Sequence, residues 1–97
     1  NVTPPAVFVV RYSHKHGVDV WVKRSRERAL ASAAETILHW IDNEIEDPVK
    51  KKEIRDALDG NKVERAIQLW GEHTNEYIEI DEATVDRPTE DEVARGR

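Results

Sequence analysis

A chain of 97 residues with net charge −5 fits one domain with a single modest core, and its valines, isoleucines and leucines cluster periodically rather than thinly as in a disordered chain. The absence of cysteine excludes disulfide staples, thiolate zinc sites, iron–sulfur clusters and cysteine nucleophiles. The longest apolar run, Ala6 to Val10, is far short of the roughly 20 residues a membrane span needs, and no charged-then-apolar leader opens the sequence, so the expectation is a soluble cytoplasmic protein that does not engage membranes.

Asn1 to Pro5 reads as a polar lead-in. Ala6 to Tyr12 follows as a strand rich in β-branched and aromatic residues, and Val18 to Lys23 as a second with strict alternation. Gly17 supplies the backbone freedom a hairpin loop needs. Pairing Tyr12 with Val18, Val10 with Val20 and Phe8 with Val22 leaves Ser13 to Gly17 as a five-residue loop and gives a wholly apolar inner face. The outer face then sets Arg11 opposite Asp19 and Val9 opposite Trp21. A slip by one residue would turn Asp19 and Lys23 toward the core.

Ser25 is placed to cap a helix with Glu27 in its first turn. Leu30, Ala33, Ala34, Ile37, Leu38, Ile41 and Ile45 recur at helical spacing, with Trp40 at the edge of the arc and His39 opposite, which predicts a main helix running to about Glu46. Asp47 and Pro48 open a second helix carrying Val49, Ile54, Ala57 and Leu58 and ending at Gly60. Asn61 with Glu64 suggests a capping box for a third, with Val63, Ala66, Ile67 and Trp70 on one face and an end near Gly71. Asn75 to Asp81 alternates again and predicts a third strand with Ile78 and Ile80 toward the helices. The expected fold is α+β, of order β-β-α-α-α-β: a three-stranded antiparallel sheet, made of the hairpin and the C-terminal strand, with helices on one face. Residues 1–82 form the single domain and 83–97 a flexible acidic tail, in which Thr89 and Glu92 could nucleate one helical turn.

His14, Lys15 and His16 at the hairpin tip raise the question of a metal. His-x-His supplies two ligands where three or four are needed, His39 points away from the sheet, and no established ligand spacing occurs, so the expectation is no metal. No Gly-x-Ser-x-Gly elbow or glycine-rich phosphate loop is present, and the acids read as solvated helix surface, which points to a non-enzymatic protein without cofactor. The tip is then a turn first and a contact second.

The more informative feature is the far face of the sheet. The paired register leaves Val7, Val9, Trp21 and Tyr77 there, ringed by Arg11, Lys23 and Glu79. An uncovered tryptophan of about 150–250 Å² calls for a cover. The tail with Val85, a second copy or another protein could supply it. The expected function is therefore a small interaction or regulatory protein that binds a protein partner or itself, as a homodimer, through Val7, Val9, Arg11, Trp21, Lys23 and Tyr77, with His14, Lys15 and His16 as loop contacts.

Charge is uneven: residues 1–34 carry +4 and residues 35–97 carry −9. Two alternatives follow from it. Arg24, Arg26 and Arg28 beside Trp21 could hold a phosphate backbone with a stacked base, and the acidic helices could imitate one. The acidic remainder opposes the first, and Lys50, Lys51 and Lys52 oppose the second.

Overall fold

The computed structural model describes residues 6–84. Along them run β1 (Ala6–His14), β2 (Gly17–Lys23), α1 (Arg26–Glu44), α2 (Pro48–Asp59), α3 (Val63–Thr74) and β3 (Tyr77–Thr84). The strands form one antiparallel sheet in the order β2-β1-β3, with β1 central. The α+β class and the element order are those the sequence predicts. Ala83 and Thr84, expected to begin the acidic tail, instead end β3 opposite Val7 and Ala6; residues 85–97, with Val85 and the Thr89–Glu92 turn, and the lead-in Asn1 to Pro5 lie outside the described residues.

The helix boundaries follow from local chemistry. Ser25 Oγ accepts the Arg28 backbone N–H at 3.1 Å to open α1, and Asp47 Oδ1 accepts the Val49 N–H at 2.9 Å with Pro48 at the first helical position of α2. Asn61 is not the cap of α3. It takes a left-handed conformation at φ 58° in the tight link from α2, and Lys62 occupies the cap position. Helix α3 runs past Gly71 to Thr74, where left-handed Asn75 at φ 60° stops it.

Ala29, Ala33, Ile37 and Ile41 form the buried stripe of α1, and the chain continues it with Ile45. They meet Val10 and Tyr12 of β1, Ile78 of β3, Ile54 and Ala57 of α2, and Ala66, Leu69 and Trp70 of α3 in one core. Helix α1 lies over the sheet with α3 beside it over β3, while α2 packs on the two helices and not on the strands. Trp70 is fully buried at the centre, and its Nε1 is the one sealed side-chain polar atom without a hydrogen-bond partner among the described residues. Trp40, by contrast, is exposed, as is Leu38, because each falls off the stripe of α1 that faces the sheet, and Val49 is exposed because it falls off the face of α2 that packs on the other helices.

The hairpin differs from the expectation in one respect with large consequences. Its turn is Lys15–His16, two residues rather than five, closed by Gly17 at φ 135°. The change in loop length is an odd number, so β2 exchanges its two faces relative to β1. Phe8 now lies opposite Lys23, Val10 opposite Trp21, and Tyr12 opposite Asp19. Trp21 packs on the helix side against the core, and Val18, Val20 and Val22 stand on the outer face at 58%, 55% and 62% exposure. Two contacts hold the short turn: His14 Nε2 to Asp19 Oδ2 at 2.9 Å, and the His16 N–H to His14 Nδ1 at 3.2 Å. Asp19 and Lys23 tolerate the helix side because β2 is an edge strand at the flank of α1. There a long or short polar side chain reaches solvent while Trp21 is covered.

Candidate functional site

Two surfaces result, one on each side of the sheet. The outer face divides along its length. Its β1–β2 half carries Val7, Val9, Val18, Val20 and Val22; its β3 half is ionic. Arg11 pairs with Glu79 at 3.4 Å and with Asp81, both across the β1–β3 ladder, so it faces Val20 rather than the expected Asp19. Trp21 and Lys23 are not on this face, by the register already described. Tyr77 is half exposed, and its ring lies against Gly71 of α3, where a methyl group would come within 3.0 Å of Tyr77 Cδ1. Of the six residues expected together, the face keeps Val7, Val9 and Arg11, with Tyr77 at its end opposite Ser13, and gains the three β2 valines. Their period-two run is plain in the sequence; only the turn length decides which way it points.

The second surface is a cleft of about 280 Å³ at the end of the sheet where the hairpin turn, the end of α1 and the entry to β3 meet. It brings the three hairpin-tip residues His14, Lys15 and His16 together with Tyr12, Asp19, Trp40, Asn43, Glu44 and Glu76. Glu76 is 5% exposed and accepts a hydrogen bond from the Tyr12 hydroxyl at 2.5 Å; its backbone N–H donates to Thr74 Oγ1 at 3.0 Å. Burial, then the hydrogen bond to Glu76, then the negative charges of Glu76, Glu44 and Asp19 push the Tyr12 phenol well above its ordinary pKa. It therefore stays protonated and remains a donor.

The histidine at the mouth has both ring nitrogens in use. His14 Nδ1 accepts from the His16 N–H, which makes Nε2 the protonated nitrogen that donates to Asp19. Lys15 Nζ sits 3.4 Å from Glu44 Oε1. Among the described residues no group of three or more histidine and acidic side chains is arranged to hold a metal ion. His73 ties α3 to α2 through Glu53 at 2.9 Å, and His39 packs edge-on to Trp40 on the outside of α1.

The basic junction is partly spoken for. Arg26 pairs with Glu64 at 3.2 Å, and Trp21 faces α1, so no indole stands beside a row of free guanidinium groups. Arg24 and Arg28 remain near Lys23 around Glu35. On α2 the lysines neutralise acids: Lys51 and Arg55 both reach Asp42, at 3.2 and 3.0 Å, and hold its carboxyl below the usual range, while Lys52 pairs with Asp56 at 2.7 Å.

Comparison of the chain with family models, with curated proteins and with solved structures returns no match. No helix among the described residues is long and apolar enough to cross a membrane.

Proposed function

We propose that this chain is a small non-enzymatic interaction protein that docks through the valine half of its outer sheet face, and that the partner is a second copy of itself. The observation that carries this reading is three consecutive same-face valines of β2, each more than half exposed, beside Val7 and Val9. Apolar patches of this kind with a polar rim mark interaction sites. The rim is supplied by Arg11, Glu79 and Asp81 on the β3 side.

Energetics set the strength. Full burial of a valine is worth about 1.5–3 kcal/mol, so covering three half-exposed ones and completing two partly covered ones gives roughly 4–5 kcal/mol per copy. Two copies supply about 8–10 kcal/mol against an association cost of about 4–15 kcal/mol. At the low end of that cost the surplus is about 4–6 kcal/mol, so the expected homodimer is weak, with Kd about 40 μM to 1 mM, and twofold, sheet face on sheet face.

The test is light scattering over a concentration series spanning that Kd. Val20→Glu, at a site exposed in the single chain, abolishes association and leaves the melting temperature at low concentration unchanged; Val49→Glu, an isolated exposed valine on α2, leaves association intact. A wild type that stays monomeric at millimolar concentration, or a Val20→Glu chain that associates as wild type does, overturns the reading.

A further inference from the structure

The cleft on the opposite side holds an arrangement that docking through the valines does not use. Glu76 is a buried carboxylate with no Lys, Arg or His nitrogen within 4 Å among the described residues. Among the described residues one of its oxygens takes the Tyr12 hydroxyl and the other has no hydrogen-bond partner, yet that atom is not sealed, and Glu76 lines the cleft. A buried charge without a counter-ion is costly, and such groups are paired in folded proteins.

The surroundings agree on the sign of the missing partner. Asp19, Glu44 and Glu76 converge on the space against a single lysine, and the last turn of α1, which ends at Glu44, contains no basic residue to offset its negative dipole end. Asp19 has His14 and Glu44 has Lys15 at the mouth, so of the three only the inner carboxylate lacks a basic partner among the described residues. Tyr12 and Trp40 add aromatic walls, the surfaces on which an organic cation is held best. The volume of about 280 Å³ sits near the small end of ligand sites, of about 300–1,000 Å³.

We propose that this cleft binds a small protonated amine, with the ammonium donating to Glu76 and Glu44 and its apolar body lying between Tyr12 and Trp40. Lys15 occupies Glu44 in the empty site and is displaced as the amine enters. The ligand class is a primary alkyl- or arylalkylammonium, since the acidic lining favours a cation, three N–H donors can serve Glu76 and Glu44 together, and the aromatic walls favour an apolar body.

The experiment is titration of the full chain with benzylammonium chloride, followed by amide chemical shifts. Benzyl alcohol and benzoate, of the same shape but neutral and anionic, serve as comparison. Benzylammonium saturates, moving residues 12–19, 40–44 and 76, with an affinity at least tenfold above either comparison compound. Glu76→Gln, which keeps the acceptor for Tyr12, weakens binding at least tenfold. Lys15→Ala, at an exposed site that cannot disturb the core, strengthens it by removing the competing ammonium. Equal binding of all three compounds, shifts that do not saturate, or a Lys15→Ala chain that binds no better than wild type each overturns the proposal. Val20→Glu leaves amine binding unchanged, which separates this site from the docking face.

Discussion

Substituting two adjacent residues of β2 tests which face of that strand meets the helices. Trp21 packs against the core from the helix side, whereas its neighbour Val20 is 55% exposed on the outer face. An indole of about 150–250 Å², mostly covered, contributes roughly 4–6 kcal/mol at about 25 cal/mol per Å² as an upper bound, so Trp21→Ala should cost about 3 kcal/mol. Val20→Thr preserves shape and strand preference and places a hydroxyl where water already reaches, so its cost is about 0–0.5 kcal/mol. With the faces of β2 exchanged the ranking inverts: the valine would be buried, the new hydroxyl would cost about 1–3 kcal/mol, and loss of an outer indole would cost little. Urea unfolding of both variants at low micromolar concentration, below the expected dimer Kd, reads the difference directly. A 3 kcal/mol loss lowers the melting temperature of a domain this size by about 12–24 °C, well outside error. Trp21→Ala within 1 kcal/mol of wild type combined with a Val20→Thr loss above 1 kcal/mol would refute the two-residue turn.

The buried phenol predicts an alkaline limit. Tyr12 ionises above its ordinary pKa of about 10 in the folded chain, so its contribution is fully present below pH 10 and is lost as pH rises further, because the unfolded chain gives up the proton first; wild-type stability should fall above pH 10 with a slope approaching about 1.4 kcal/mol per pH unit from this group, and Tyr12→Phe should flatten that slope, an unchanged slope contradicting the assignment. Gly71→Ala gains about 0.5–1 kcal/mol of helix preference in α3 and costs only a rotation of the half-exposed Tyr77 ring that the new methyl meets at 3.0 Å, so the melting temperature should rise slightly and rise further in a Tyr77→Ala background. A net loss that survives Tyr77→Ala would show that the Tyr77 ring is not the obstacle.

What the sequence discloses divides by range. Ser25, Asp47 and Pro48 act on backbone groups within three residues, and the alternation of Ile78 and Ile80 needs only the strand that carries it, so caps, elements and fold class are legible locally. The face of β2 is a different kind of quantity. It depends on the parity of a turn whose length is settled by contacts across it, His14 with Asp19 and with the His16 N–H, against a hydrophobic pattern that favours the other answer. Three valines then lose to one indole because the edge strand offers the flank of α1 a single well-covered position. The cleft was half legible for a related reason. His14, Lys15 and His16 stand out by composition, whereas Glu76 looks like one more solvated acid before a strand. Yet Glu76 is two residues before Ile78 and four before Ile80, in phase with the side that faces the helices. Tyr12, directly opposite Ile78, brings to that side a hydroxyl in need of a partner. Asp19 and Lys23 stand in the same relation to Trp21. Asp19 and Glu76 each continue an inward face in phase and each carries a hydrogen bond there, to His14 and to Tyr12, so for these two the phase, not the residue type, is the signal that locates them.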